Sequence, residues 1–520
     1  MRYSALILAS LPAFLASCMV GPDFTEPAND LEASWNEHDA VLAKGSNSKL
    51  NLAWWTQFHD PILNQLVEDA YSQNLALRVA ALRILESRAV LGLAHGNMFP
   101  QSQSVGGGVS RSGRRGQSPN AFSMTPDRYA NSATYSFDAA WELDFWGKFR
   151  RAVDSADAKM MSELANYDDV LVSLTAEVAS TYVNIRTIEE RIRLAKQNVK
   201  LQKDSLRLVE LQFEAGTVTE LDVLQAKTLL FNTQSQIPNM QAALVKYHNA
   251  LAVLLGEAPG KTRDRLKGGE GIPSVSGTLA VGVPAELLRR RPDIRRAEMT
   301  AMAQSSQIGV AKAELYPSFS LSGRLGAAAG TSQFGLGSGD LNDVFNSDHI
   351  GYSFGPSFRW NILNYGRIKN SVRVQDARFE QTITAYHNTV LNAAREVEDG
   401  MTGFVQAKKE SNFLRQGVET SKKSADLSML QYKEGLADYQ RVLDSIRSLT
   451  SKQDQYAAVR GTIATNMIAM YKALGGGWEI RDRTRAIPKD IKEKMKNRTD
   501  WGKMLDEPEG KIEVAPAKEK

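Results

Sequence analysis

The chain has one cysteine, Cys18, among 520 residues, so no intramolecular disulfide can staple it. Its six histidines are scattered without ligand spacing, so they form no metal-site pattern. Neither charge sign is in excess. The balance of 63 Lys and Arg against 59 Asp and Glu excludes the basic field that nucleic-acid binding needs. No run of 18 apolar residues follows the N-terminus, which argues against a transmembrane helix. The triplets Gly106–Gly108 and Gly475–Gly477 lack the Lys-Ser/Thr pair of a phosphate loop. An enzyme is therefore the least supported class, and no cofactor is expected. A local absence says more. From Arg150 to Phe213 there is neither proline nor glycine.

Within that stretch Leu171, Leu174, Val178, Tyr182, Ile185, Ile188, Ile192, Ala195, Val199, Leu206, Val209 and Phe213 fall at steps of three, four or seven. This is a coiled-coil stripe. It predicts one helix roughly 95 Å long at 1.5 Å per residue, more than a compact domain needs.

The stretch belongs to an internal repeat, which is the first thing to seek in a long chain. Trp141 and Trp360, Gly147 and Gly366, Gly216 and Gly435, and Gly256 and Gly475 are pairs 219 residues apart. Upstream, Phe99-Pro100 matches Tyr316-Pro317 at an offset of 217. Repeat 1 is expected over 65–256 and repeat 2 over 284–478, joined by a Gly-, Lys- and Pro-rich linker at 257–283. Each copy reads as a helix, a strand pair, a very long helix, a short break and a helix. The helix before the strands is expected at about 65–95, the long helices at about 147–213 and 366–432, and the last helices at about 219–256 and 438–474. Gly216 and Gly435 mark the breaks, where glycine suits a helix C-terminus. Pro238 is expected to kink the last helix of repeat 1; Ala457 replaces it in repeat 2.

The strand pairs, expected at about 101–145 and 318–363, alternate apolar and small or polar residues. In the first, Tyr135, Phe137, Ala139, Trp141 and Leu143 share a face, opposite Ser136, Asp138, Ala140, Glu142 and Asp144. In the second, Ile350, Tyr352, Phe354, Pro356, Phe358, Trp360 and Ile362 share a face, a run of about 13 residues, opposite Arg359 and small residues. Membrane-spanning strands of about 9–11 residues carry this pattern, with lipid-facing apolar side chains, aromatic girdles and a polar lumen. Tyr135, Phe137, Trp141, Tyr352, Phe354, Phe358 and Trp360 are the candidate lipid face. Asp138, Glu142, Arg324 and Arg359 are the candidate lumen, so Glu142 and Asp144 read as lining and not as a hydrolytic pair. Four strands cannot close a barrel, and an open sheet edge in lipid costs several kcal/mol per unpaired group. Chains must pool strands: two would give eight, three would give twelve. The strands alone do not choose between these.

The N-terminus, MRYSALILASLPAFLASC, has a positive residue, an apolar run and small residues, the order of an export signal over 1–17. A cysteine closing such a signal resembles a bacterial lipobox. That resemblance implies lipidation at Cys18, an N-terminal segment 18–64 held at a membrane, and outer-membrane sorting given Met19. Trp54-Trp55 is expected to pack the segment against the helices. The highly charged tail at 479–520 reads as disordered.

Taken with GVPAELLRRRPDIRRAE at 282–298, AELYPSFSLSG at 313–323 and MYKALGGGW at 470–478, the chain resembles the outer-membrane efflux factors, TolC-like and more closely OprM-like lipoproteins of the NodT type. The resemblance implies a mainly α fold with a transmembrane β part. A homotrimer would share a 12-stranded outer-membrane barrel, continued by a 12-helix periplasmic α-barrel. It also implies a periplasmic membrane-fusion adaptor and an inner-membrane pump of the resistance-nodulation-division (RND) type as partners. The chain would be a passive exit duct for small molecules such as drugs in a Gram-negative bacterium. In such proteins the periplasmic tip is gated. The matching residues are Asp444 and Arg447, with Gln440 where relatives often place an apolar residue, and Asp222 in repeat 1. The adaptor would meet Gly216, Thr217, Gly435 and Leu436. Two alternatives stay open: the exit duct of a type I protein-secretion system, and a lipid-anchored periplasmic coiled-coil scaffold without a pore.

Overall fold

The computed structural model describes residues 19–28, 53–113, 129–268, 271–274, 290–330, 341–483 and 487–505. Cys18, its signal segment, linker residues 269–270 and 275–283, and the first residues of repeat 2, 284–289, lie outside the described residues. The helices are α1 Pro61–Gln73, α2 Leu75–Gly96, α3 Lys148–Glu214, α4 Glu220–Leu254, α5 Thr262–Arg265, α6 Pro292–Ala313, α7 Arg367–Lys433, α8 Tyr439–Ala473 and α9 Lys489–Arg498. The strands are β1 Ser102–Gly113, β2 Tyr129–Leu143, β3 Ser318–Gly330 and β4 Ile350–Arg359.

Both long helices, α3 and α7, have 67 residues, and both following helices, α4 and α8, have 35. At 1.5 Å per residue α3 and α7 are each about 100 Å long. The predicted stripe runs along the buried side of α3, with Leu171, Val178, Tyr182, Ile185 and Val209 fully inside, except at its end, where Phe213 is exposed. Helix α7 carries glycines that α3 lacks. A Cβ at Gly400 would press on the Met470 backbone, so this glycine lets α8 lie close against α7. Helix α4 continues without interruption through Pro238.

Three expectations need correction. The helix before the first strand is two helices, α1 and α2, because Asn74 leaves the helical region at ψ 129°. Its side chain accepts from Leu77 N at 2.9 Å, capping α2, and donates to Leu254 O at 2.8 Å. Strand β4 ends at Arg359, so Trp360 and Ile362 fall outside it. There the Trp360 indole N–H donates to Leu315 O at 3.0 Å and Ile362 N donates to Trp360 O at 3.1 Å, turning the chain toward α7. The tail also differs from expectation up to residue 505. Ile487, Met495 and Leu505 are buried in the main core, and Arg481 Nη1 donates to the buried Asp168 of α3 at 2.7 Å. Few as they are, these apolar side chains and one charge pair hold a segment whose composition is otherwise that of a solvated tail.

The chain divides into two compact units. One contains residues 1–27, 86–162 and 298–385; the other contains 28–85, 163–297 and 386–520. In the second unit the main core centres on Trp54, which stacks on Tyr471 at 5.4 Å and donates its indole N–H to Gly476 O at 3.3 Å. Asp60 caps α1 through Ile62 N and Leu63 N and also accepts from Tyr182 OH at 2.6 Å, tying α1 to α3.

Candidate functional site

The first unit holds one antiparallel sheet in the order β1-β2-β3-β4. Directly paired residues in such a sheet share a face, so the register assigns every side chain. Phe137 pairs with Val105 on β1 and Leu325 on β3, and Leu325 pairs with Tyr352 on β4. Trp141 pairs with Leu321, and Leu321 with Pro356; Phe319 pairs with Phe358, and Gly323 with Phe354. Every candidate lipid-face residue that lies in a strand falls on this one apolar face. The face is largely bare: Val105 is 83% exposed and Tyr352 86%. Trp360 sits just past β4 at the strand–helix junction. Tyr135 differs from the rest, because Phe345 stacks on it at 6.1 Å.

The opposite face is polar or small. Ser104, Asp138, Arg324 and Ser353 form one row across all four strands. Arg324 Nε lies 3.5 Å from Asp138, and Arg324 Nη2 donates to Ser136 Oγ at 3.2 Å; Ser136 in turn donates to Asp138 at 2.7 Å. Glu142 lies 3.5 Å from Lys148. Arg359 pairs with Ser318 at the end of β4 on the same face. The register therefore puts the four candidate lumen charges on one face, where Asp138 and Arg324 pair. The outer edges of β1 and β4 have no strand partner among the described residues.

The helices join the sheet at one end, and there the aromatic residues gather. Trp141 Nε1 donates to Met98 O at 3.1 Å, as Trp360 does to Leu315 O one repeat later. Trp146 donates to Pro317 O at 2.8 Å and stacks on Tyr316 at 4.6 Å. Each indole places an apolar body beside a satisfied polar tip, the arrangement suited to a membrane interface. The residues that follow Cys18 are fixed at this belt. Val20 N donates to Trp146 O at 3.1 Å, Arg151 Nη2 donates to Asp23 at 2.8 Å, and a Cβ at Gly147 would collide with Met19.

In the second unit, α3 and α4 meet at Gly216 and α7 and α8 at Gly435, with φ of 74° and 71°. Only glycine takes this conformation freely, and it ends each helix with a reversal. Thr217 N donates back to Gln212 O at 2.9 Å and Leu436 N to Gln431 O at 2.8 Å. Thr217 and Leu436 are exposed at the turns. All four helices share one apolar cluster here, including Val209, Val223, Ala425, Val442, Leu443 and Ile446. Tyr439 stands beside Tyr432 at 5.3 Å and shares a hydrogen bond of 3.1 Å with Ser205. Burial, with the Asp222 charge adding to it, pushes the Tyr432 hydroxyl up to about 12, so both tyrosines stay neutral. Tyr432 is the repeat counterpart of Phe213, 219 residues on; no signal in the sequence marks Tyr439, four residues past Gly435.

Asp444 and Arg447 lie on the exposed side of α8, away from that cluster. Arg447 Nη1 donates to Asp444 Oδ1 at 3.0 Å, and Gln440 Nε2 donates to Asp444 at 3.2 Å. The i, i+4 and i+3 spacings thus put three candidate gate residues into one network. Asp222 is separate from it. Its carboxylate accepts from the N–H and hydroxyl of Thr219 at 3.1 and 2.8 Å, at the start of α4.

Comparison with known proteins bears on the family and the fold. The profile of the outer membrane efflux protein family matches residues 66–257 and 283–476. Nodulation protein T of Rhizobium leguminosarum bv. viciae is 31% identical, over 91% of this chain and 93% of its own length. The solvent efflux pump outer membrane protein SrpC of Pseudomonas putida is 30% identical, over 91% and 98%. Among solved structures, the outer-membrane channel OprN superposes with a TM-score of 0.79 at 33% identity, covering 89% of this chain and all of that one. The open state of the Neisseria gonorrhoeae MtrE outer membrane channel gives 0.76 at 26%, covering 89% and 99%.

Proposed function

This chain belongs to the outer membrane efflux protein family, and from that premise we propose that it is the exit duct of a tripartite RND-type pump. The family consists of conduits and not enzymes, and the chain resides in the outer membrane of a Gram-negative bacterium and reaches into the periplasm. Three copies pool their sheets into a 12-stranded barrel, wide enough for a water-filled lumen. The observation that carries this reading is the four-stranded sheet, with a largely bare apolar face, a polar face and, among the described residues, two edges without a strand partner. In lipid those edges must be paired, and neighbouring copies of β1 and β4 can pair them.

The cargo is small molecules such as drugs, and the drive comes from the inner-membrane pump. Asp444, Arg447 and Gln440 close the resting tip against neighbouring copies, and Asp222 contributes separately from the start of α4. Gly216, Thr217, Gly435 and Leu436 receive the periplasmic adaptor. Cys18 carries a covalent lipid. The fixed position of Met19 and Val20 at the aromatic belt supports this, since it holds the chain next to Cys18 where acyl chains can enter the bilayer.

The test is reconstitution of the purified protein in planar bilayers, joined to deletion of the gene and a compound-susceptibility panel. Discrete aqueous conductance with heightened susceptibility to small molecules supports the efflux reading. Loss of a secreted protein with unchanged susceptibility supports the type I secretion duct. Absence of any conductance supports the scaffold.

A further inference from the structure

We propose that the outward rim of the sheet is a binding site for lipid A, with Arg111 taking a phosphate and Phe345 lying against an acyl chain. The inference rests on the channel reading, which sets the end of the sheet that faces outward. The helices leave the sheet beside Leu143, Ser318 and Arg359, so the opposite end, at Gly113, Tyr129 and Ile350, is extracellular.

At that end the lipid face changes character. Arg111 pairs with Asn131 and Tyr129 with Gly113, which places both side chains on the same face as Tyr135 and Phe137. An arginine on a lipid-facing row would be costly in hydrocarbon, by about 2–4 kcal/mol at the midplane and little near the interface. Its guanidinium lies 4.5 Å from the Tyr129 ring centroid. A guanidinium stacked on a ring keeps its in-plane N–H donors free for the oxygens of a phosphate. No carboxylate among the described residues pairs with Arg111.

Deeper in the same face, the short helical turn Leu341–Phe345 folds over the sheet. Val344 is buried against Ala133, Ala327 and Ala329, and Phe345 stacks on Tyr135 while remaining 81% exposed. A bare phenylalanine held against the lipid-facing side has hydrocarbon as its natural neighbour. Four residues separate Tyr135 from Asn131, about 13 Å along the strand and about 9 Å along the membrane normal at a 45° tilt. The headgroup layer beyond the hydrocarbon is about 5–8 Å thick on each side. Arg111 therefore stands at the outer limit of the headgroup layer when Phe345 lies at the top of the acyl layer, at the level of the outermost lipid phosphates. The lipid that offers both in the outer leaflet of this membrane is the phosphorylated glucosamine lipid of lipopolysaccharide.

The purified full-length oligomer, in detergent, is titrated with bis-phosphoryl lipid A, monophosphoryl lipid A and phosphatidylglycerol, with binding read by native mass spectrometry. The wild type is expected to prefer bis-phosphoryl lipid A. Arg111→Ala should weaken it about tenfold or more, the size of one charge-assisted hydrogen-bonding group, and Arg111→Lys should weaken it less. Phe345→Ser should weaken both lipid A forms alike. An intact oligomer whose Arg111→Ala form binds lipid A unchanged overturns the inference alone. Phosphatidylglycerol binding as tightly, with equal loss in Arg111→Ala, overturns the choice of lipid A. A wild type without a detergent-stable oligomer overturns the channel reading and this inference together.

Discussion

Leu443 and Asp444 are neighbours in sequence on α8, the first buried and the second exposed, so their substitution separates packing from gating. Leu443 is buried in the four-helix tip cluster. Leu443→Ala should destabilise the tip by about 2–5 kcal/mol, the usual range for a buried leucine. Asp444 is more than half exposed and bonds to Arg447 at 3.0 Å on its own helix. An exposed i, i+3 pair contributes only about 0.2–0.5 kcal/mol, so Asp444→Ala should leave the unfolding transition almost unchanged. If the same carboxylate closes the pore in three copies, three contacts of about 0.5 kcal/mol each sum to about 1.5 kcal/mol. That difference corresponds to about a tenfold rise in open probability. Single-channel recording in planar bilayers reads the opening, and thermal unfolding in detergent reads the stability. An Asp444→Ala protein with wild-type resting conductance refutes the gate. One that melts early refutes the claim that this face is free of the core.

The remaining predictions concern the core, acidity, the anchor and the tips. Trp54→Ala removes the stacked contact with Tyr471 and the bond to Gly476, and should cost about 3–5 kcal/mol in unfolding measurements. His248 is buried on α4, and its Nδ1 finds no hydrogen-bond partner among the described residues. Burial, with help from Arg263 and Arg186 and against Glu189, holds its pKa below 6.5. Stability from this group is fully present above that value and is lost as pH falls through the lower folded pKa. His248→Gln should therefore flatten the acid side of a melting profile taken from about pH 8 to about pH 5. Superimposable profiles would contradict this. Cys18→Ala should abolish incorporation of labelled palmitate while the detergent-stable oligomer persists; continued labelling would place the lipid elsewhere. Photo-crosslinkers at Thr217 and Leu436 should capture the adaptor, and capture only from the α2 surface would move the contact.

Helix α3 is legible residue by residue because a stripe at helical spacing with no proline or glycine permits one outcome, while α7, which carries glycines, follows from the repeat; Gly216 and Gly435 end the two helices where positive φ is needed. The two faces of the strands were equally plain, since alternation survives any register that keeps parity. The pairing of β2 with β3 was not, because it joins residues nearly 200 apart and leaves no local trace. The division of α1 from α2 was available in principle: Asn74 is a capping residue, yet it sits in an otherwise helical pattern. The alternation overextends β4 because Trp360 continues it, whereas the ladder ends at Arg359 and the Trp360 indole N–H donates to Leu315 O beyond it. At the tip, the family resemblance points to Gln440, Asp444 and Arg447, and their spacing on α8 lets them meet. Ser205 and Tyr439 lie 234 positions apart, and only folding brings them together.

The claim on which the rest depends is that one chain supplies a third of the barrel. Native mass spectrometry of the purified assembly, released from detergent, tests it most directly. A mass of three mature chains is the predicted result. A stable species with the mass of one chain or of two, with channel activity retained, would contradict it.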